Sequence, residues 1–156
     1  MPKSTTELQP AHEALAAVLQ VRDGVLQVLL WQRAKEPFLG AWSLPGGRLE
    51  PGETLEASTR RHLAAKVDVR DLAHLEQLET RSEPNRHPGE RLVATAYLGL
   101  VPADVDPSVP DDTAWHPVDH LPAMAFDHGA IALAGRERLR AKLSYTNIGF
   151  ALAPSV

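Results

Sequence analysis

The stretch GGRLEPGETLEASTRRHLAAKVDV, residues 46–69, joins a glycine-rich turn to a run with the composition of a helix. Pro51 and Gly52 predict a tight turn. From Glu53 to about Lys66 the residues are good helix formers without proline or glycine, so a helix is predicted there. Glu53 lies at the positive end of that helix, where a carboxylate is favoured. The stretch therefore predicts a loop, a turn and a helix in that order.

Two strands are predicted before this stretch. The runs HEALAAVLQV and VLQVLLWQR, residues 12–21 and 25–33, are rich in valine and leucine and flank the sequence RDG. Gly24 can supply the positive φ of a hairpin turn, so the two strands should be antiparallel. The segment AKEPFLGAWSLPGG, residues 34–47, has no periodicity and predicts an irregular loop over a surface or pocket.

The second half of the chain adds further strands and a second helix. Residues 72–80 fit a helix or a strand by periodicity, and the short space between turns favours a strand. Polar loops are predicted at 81–90 and 102–112, a strand at 91–101 and a helix at 126–143. This order predicts an α/β fold, with a mixed sheet covered by helices on both faces.

Composition limits the class of protein. With 156 residues and 44% hydrophobic content, the chain fits one domain, which we place at residues 12–156 after a tail at 1–11. The net charge of −4 argues against unaided binding to nucleic acid or anionic membranes. The chain has no cysteine, and no apolar run approaches a membrane span, so we expect a soluble, cytoplasmic protein.

Gly47, Glu53, Arg61, Leu63 and Val69 fall, at the correct spacing, on the sequence pattern of the Nudix hydrolases. The resemblance covers about residues 12–143 and implies the Nudix fold, a mixed β-sheet sandwiched between helices. In that family, Glu-x-x-Glu-Glu on the helix holds divalent cations, which activate water and neutralise a diphosphate.

This chain departs from the pattern at those metal-binding positions. His62, Ala65 and Lys66 stand where the family has glutamates, and Asp68 replaces a glycine. An imidazole, a methyl group and a cation suit Mg²⁺ poorly, so we predict no catalytic residue, no metal site and no cofactor. The alternative is an active hydrolase of the ADP-ribose pyrophosphatase type, with Mg²⁺ held by a rearranged set of carboxylates: Glu50, Glu53 and Glu56.

A second resemblance is more specific. Residues 31–47, 75–97, 120–131 and 138–154 look like the Nudix-related transcriptional regulators of NAD metabolism. The likeness implies a domain that senses ADP-ribose or a related NAD-derived nucleotide, a homodimer, and DNA contacts only through a separate winged-helix domain. The regulators continue beyond the segment matched by residues 150–154, and this chain stops two residues later, so we expect the sensor domain alone. A third hypothesis is a purely structural dimerisation module with an empty pocket.

The residues that could bind such a nucleotide fall into three sets. Aromatic side chains could form a wall, or could be simple core: Trp31, Phe38 and Trp42. Cations could bind the diphosphate, because guanidinium groups match phosphate geometry: Arg33, Lys66 and Arg86. The Gly46-Gly47 turn and the loop residue Asn85 complete the predicted ligand site.

Each of these residues also has an ordinary structural interpretation. Lys66 is predicted to point to solvent as a cation at the helix end, and Arg86 could be a solvated loop charge. Asp127 is predicted to cap the last helix. Glu53, Arg61 and His62 are predicted to be remnants of the motif, with Arg61 bonding the loop to the helix and His62 partly buried.

Overall fold

The computed structural model describes residues 10–143 and begins with a β-hairpin. Strand β1, Ala11–Arg22, pairs with the antiparallel strand β2, Val25–Gln32. The turn between them has φ of 53° at Asp23 and 74° at Gly24, the left-handed conformation that a tight hairpin needs. The predicted hairpin is confirmed.

Strand β1 lies at the centre of a seven-stranded mixed sheet. It pairs in parallel with β6, Leu92–Leu100, which in turn pairs antiparallel with β5, His74–Arg81. On its other side β1 pairs with β4, Gly46–Arg48, through its first half and with β2 through its second half. Strands β3, Trp42–Ser43, and β7, Thr113–Pro117, both pair with β2.

Two helices cover the two faces of this sheet. Helix α1, Leu55–Val67, packs Leu63 and Val67 on one face with Ala16 and Val18 of β1. Helix α2, His128–Leu143, packs on the other face, in a core cluster that contains the alternate residues of β1. Residues of β1 therefore point alternately at the two helices, as strand geometry requires. The predicted α/β architecture, a mixed sheet sandwiched between helices, is confirmed.

Helix α1 begins and ends with specific caps. The side chain of Thr54 accepts a hydrogen bond from Ala57 N at 3.1 Å, so Thr54 caps the helix and its first residue, Leu55, lies two residues after the predicted start at Glu53. Asp68, with φ of 57°, ends the helix in the left-handed conformation, and its N–H bonds to Leu63 O. Asp68 stands where the family pattern has glycine, and it adopts the left-handed conformation that glycine adopts most easily.

Three predictions are corrected in detail. The predicted loop at residues 34–47 contains β3 and the start of β4. Strand β7 was not predicted at all. Its five residues show no clear alternation of apolar and polar side chains, and its pairing partner β2 is distant in sequence. Helix α2 starts at His128 rather than at residue 126. The segment at 72–80 is the predicted strand.

The predictions for the chain ends fall largely outside the described residues. Strand β1 begins at Ala11, and residues 1–9 and 144–156 are not described, including the apolar ending YTNIGFALAPSV. Within residues 10–143, the longer helix, α2, has 16 residues, and no helix is long and apolar enough to cross a membrane.

Candidate functional site

The two glycines of β4 lie close to their neighbours, Gly46 to strand β1 and Gly47 to side chains of helix α1. Gly46 pairs with Leu15 and Gly47 with Ala14 of β1. A Cβ atom on Gly47 would lie 2.3 Å from His62 Cε1 and 2.6 Å from Lys66 Nζ. A methyl group on Gly47 would therefore displace the side-chain ends of His62 and Lys66, whereas a Cβ atom on Gly46 would collide with the carbonyl oxygen of Ala14 in β1.

Lys66 reaches back from α1 to β4. Its ammonium group donates a hydrogen bond to the carbonyl oxygen of Gly46 at 2.7 Å. Burial lowers the pKa of Lys66, and the nearby Arg61 guanidinium lowers it further. Lys66 is exposed and lies in the last turn of α1, as predicted, but its ammonium also contacts the glycine turn, which the sequence did not predict.

His62 is a buried polar group, as predicted. The residue is 6% exposed, and its Nε2 lies 2.9 Å from the carbonyl oxygen of Arg48. That contact requires a proton on Nε2, so this nitrogen donates and does not present a lone pair. Burial lowers the pKa of the imidazole, which favours its neutral form.

The three positions of the family's metal-binding glutamates do not fit a divalent cation. The Nε2 of His62 faces a carbonyl group, Ala65 has no donor atom, and Lys66 brings a positive charge to the place. Hard cations such as Mg²⁺ take oxygen ligands, and none of these side chains provides one.

Glu53 and Arg61 form the ion pair that holds the turn onto the helix. Arg61 donates from Nε to Oε2 of Glu53, and from Nη2 to Oε1 at 2.9 Å. Oε1 also accepts from Glu50 N at 3.1 Å. Hydrogen bonds from Arg61 lower the pKa of Glu53 to about 2. Both side chains therefore organise the loop, which is the structural role predicted for Arg61.

The carboxylates of the rearranged metal site are held by arginines instead of facing each other. Glu50 lies 3.6 Å from Arg61 and Glu56 lies 3.5 Å from Arg60. Among the residues that the structure describes, no group of three acidic or histidine side chains is placed to hold a metal ion. The geometry therefore gives no support to a site built from Glu50, Glu53 and Glu56.

A cleft of about 130 Å³ opens beside the glycine turn. We call it the main cleft. Its floor is formed by β1, β2 and β4, and its walls by loops that precede β6 and α2. The residues that line it are Glu13, Leu15, Trp31, Arg33, Leu44, Gly46, Gly47, Arg48, His87, Leu92, Phe126 and His128.

An aromatic array forms one wall of the main cleft. The rings of Phe126 and His87 are stacked, with centroids 5.0 Å apart and planes 15° apart. The exposed ring of Phe38 meets Phe126 edge-on at 4.7 Å. The guanidinium of Arg33 lies 5.0 Å from the Phe126 centroid and 5.5 Å from that of Trp31. Cation and aromatic faces so arranged suit a flat, electron-rich ring and an anionic group attached to it.

Arg86 is the buried anchor of the two loops that form this wall. Its side chain is 3% exposed and donates to both oxygens of Asp127, at 2.9 and 2.7 Å. It also donates to Glu13 Oε1 at 3.3 Å and to Leu92 O at 3.2 Å. Burial raises the pKa of Glu13, whereas the bonds from Arg86 outweigh burial and keep the pKa of Asp127 low. A solvated Arg86 is therefore ruled out, and Asp127 binds Arg86 where a helix cap was predicted.

The structure brings together only part of the predicted ligand site. Arg33, Gly46 and Gly47 line the main cleft, and Phe38 contacts its aromatic wall. Trp42 packs at the core and meets His116 at 4.5 Å, so it is not a wall residue. Asn85 is exposed and does not line the cleft. Arg86 does not line the cleft either, because it is buried behind the wall. Lys66 is not in the lining, but it lies against Gly47, which is.

Sequence reasoning missed several residues of the cleft, namely Glu13, Arg48, His87, Phe126 and His128. Arg48 directly follows Gly47 within the motif stretch, whereas the other four lie far from the motif in sequence. One signal was present. His87 directly follows the predicted pair Asn85-Arg86, so it lies in a loop that was already predicted to carry site residues.

Comparison with known proteins gives a family for most of the chain. A family model described as NUDIX domain matches residues 11–134. The chain is 30% identical over 147 residues to an ADPR responsive transcriptional repressor NtrR from Acinetobacter baylyi, covering 88% of this chain and 58% of that protein. It is 29% identical over 133 residues to an ADP-ribose pyrophosphatase from Methanocaldococcus jannaschii, covering 77% of this chain and 71% of that protein.

Solved structures give the same picture. The NUDIX domain of Shewanella oneidensis NrtR, complexed with ADP ribose, superposes with a TM-score of 0.72 at 32% identity, covering 88% of this chain and 94% of that one. Shewanella oneidensis NrtR complexed with a 27mer DNA gives 0.73 at 33% identity, covering 83% and 62%. The chain therefore spans less than two thirds of the length of the repressor relatives.

Proposed function

The chain belongs to the Nudix family, and on that premise we propose that it is a sensor domain that binds ADP-ribose, or a related NAD-derived nucleotide, without hydrolysing it. The repressor relative that responds to ADPR and the NrtR domain complexed with ADP ribose support the choice of ligand. From the contact of the Lys66 ammonium with the Gly46 carbonyl, we infer that the ligand is not hydrolysed.

Lys66 occupies one of the three positions at which the family pattern has metal-binding glutamates. Its ammonium sits 2.7 Å from the Gly46 carbonyl, on the strand that borders the main cleft. Because a diphosphate needs positive charge beside it, Lys66 and Arg33 can neutralise the ligand without a divalent cation. A fixed ammonium group does not activate water as a metal ion does, so the ligand would be bound and left intact.

The aromatic wall supports a nucleotide over a simple phosphate ester. Phe38 is 43% exposed, so a planar base would find an apolar ring there, beside the guanidinium of Arg33. Base stacking on aromatic side chains contributes on the order of 1–3 kcal/mol.

Calorimetric titration of ADP-ribose, once in EDTA and once in Mg²⁺, tests this function. We expect a saturable isotherm that is similar in both buffers, with heat returning to baseline after each injection. The variant Arg33→Met should weaken binding, whereas Lys35→Met, which removes an exposed cation from the same loop, should not. Failure of every nucleotide to bind at millimolar concentration would favour the purely structural dimerisation module.

The second candidate is an ADP-ribose pyrophosphatase, and the Methanocaldococcus relative is the observation in its favour. It predicts continuous heat in Mg²⁺ only, with release of ribose phosphate and AMP. If that release vanished in Glu53→Gln, the sensor proposal would be wrong.

The wider role rests on the repressor relatives. Since Shewanella oneidensis NrtR was crystallised with DNA, we propose that this domain reports NAD-derived nucleotides within a cytoplasmic regulator of transcription, with DNA bound by a domain other than the Nudix domain. We also propose a homodimer. Sedimentation velocity should give twice the mass of one chain, and a single-chain mass at micromolar concentration would contradict the dimer.

A further inference from the structure

A second cavity of about 270 Å³ lies next to the main cleft. Its lining consists of Trp31, Lys66, Val67, Asp112 and Thr113. Trp31 belongs to both linings, and its indole nitrogen donates to the carbonyl oxygen of Leu44, another residue of the main cleft, at 3.1 Å. The second cavity is therefore a neighbour of the main cleft across one aromatic side chain.

Lys66 lies at the junction of the two spaces. It lines the second cavity, and its ammonium contacts Gly46 and lies against Gly47, which line the main cleft. A ligand that occupied both cavities would therefore pass next to the ammonium group of Lys66. The group best suited to that position is an anion in the middle of the ligand, with uncharged parts on both sides.

The volumes also favour a ligand that spans both spaces. Pockets for ligands of this size are about 300–1,000 Å³. The main cleft has about 130 Å³ and the second cavity about 270 Å³, so each falls short of that range alone and the two together reach it.

The polar groups of the second cavity point to a sugar. The hydroxyl of Thr113 donates to Oδ1 of Asp112 at 2.8 Å, and the Asp112 carbonyl accepts from Gln32 N at 2.8 Å, so this residue is held in place. Among the described residues, Oδ2 of Asp112 has no hydrogen-bond partner. A carboxylate repels phosphate but accepts hydrogen bonds from ribose hydroxyls, as in dinucleotide sites.

We propose that the second cavity is the subsite for the terminal ribose of ADP-ribose, the sugar that ADP lacks. The base lies against the aromatic wall of the main cleft, the diphosphate lies beside Lys66, and the terminal ribose donates its hydroxyls to Asp112. This assignment rests on the proposed function and adds the feature by which the domain distinguishes ADP-ribose from ADP.

Titration of two ligands into three proteins tests the assignment. The ligands are ADP-ribose and ADP, and the proteins are the wild type, Asp112→Asn and Asp111→Asn. Asp111 is the adjacent aspartate, is exposed and does not line the cavity, so it gives the same loss of charge outside the subsite. We expect Asp112→Asn to weaken ADP-ribose about tenfold and ADP less than twofold, and Asp111→Asn to change neither. Equal melting temperatures of the two variants would exclude a folding defect.

The other outcomes overturn the assignment in different ways. An equal loss for ADP-ribose and ADP would place the adenosine end in the second cavity. No loss for either ligand, with wild-type binding intact, would leave the proposed function standing and remove this subsite. If the wild type bound no ADP-ribose, the proposed function would fail and the subsite with it.

Discussion

Replacing Arg86 with methionine should destabilise the protein through the carboxylates that it leaves behind. The Arg86 side chain is 3% exposed, and its partners Glu13 and Asp127 are 15% and 19% exposed. Methionine fills similar space without the charge, so the two carboxylates would remain largely buried with no cation. Removing one partner of a buried ion pair costs about 3–5 kcal/mol.

The partial exposure of both carboxylates favours the lower end of that range, about 3 kcal/mol. For a domain of this size, each kcal/mol lowers Tm by about 2–4 °C, so Tm should fall by roughly 6–12 °C. Differential scanning calorimetry at pH 7 measures the change. Arg91→Met is the matched control, because Arg91 is exposed in the same loop and its carbonyl bond to Ala11 N is kept.

The pH dependence separates this mechanism from a simple packing defect. Without Arg86, the pKa of Glu13, which burial already raises, would rise further, and the pKa of Asp127 would change from lowered to raised. Protonation would then favour the folded state, so the Tm deficit of Arg86→Met should shrink as the pH falls from 7 towards 5. Equal Tm values for Arg86→Met and Arg91→Met, or a deficit that does not change with pH, would refute the account of a buried ionic anchor.

Three further predictions concern the glycine turn and its surroundings. Because the pKa of Glu53 is lowered to about 2, its stabilisation is present above pH 4.5 and lost as the pH falls towards 2, so the Tm difference between wild type and Glu53→Gln should close over that window. Gly47→Ala should lower the free energy of unfolding, measured in urea, by about 1–3 kcal/mol through overpacking. Gly89→Ala should lower it less, because the added Cβ atom would lie 3.5 Å from its nearest neighbour. Equal losses in the two variants would contradict the close approach at Gly47. Lys66→Glu should weaken ADP-ribose binding in EDTA at least tenfold and partly recover in Mg²⁺, while Lys35→Glu should change neither titration; unchanged affinity in Lys66→Glu would exclude the side chain from the site.

Local patterns predicted most of the elements and the remnants of the motif. The hairpin around Gly24 follows from the residues next to it, and so does the helix that follows Pro51-Gly52. His62, Ala65 and Lys66 could be identified as departures because they lie on one short helix, where spacing fixes which side chains share a face. The structural role of Arg61 was also predictable, since its partner Glu53 is only eight residues away.

The cleft could not be predicted, because its residues are brought together by pairings between distant parts of the chain. Glu13 reaches Arg86 across 73 residues, and Arg86 reaches Asp127 across 41. The parallel pairing of β1 with β6 places these groups side by side. Nothing near Arg86 in the sequence indicates that it is buried, so a loop arginine was indistinguishable from a solvated charge.

What the sequence by itself determined is therefore the α/β fold, which follows from periodicity within single elements, and the absence of the family's carboxylates, which follows from resemblance to the family pattern. What only the tertiary structure decided is the direction of the charged side chains. Lys66 turns to Gly46 because the missing side chain of Gly47 leaves room for it, and Arg86 turns inward because two carboxylates from other elements meet it there. The direction of a charged side chain depends on the groups that compensate the cost of burying it. Here those groups come from distant elements that the packing of the sheet brings together.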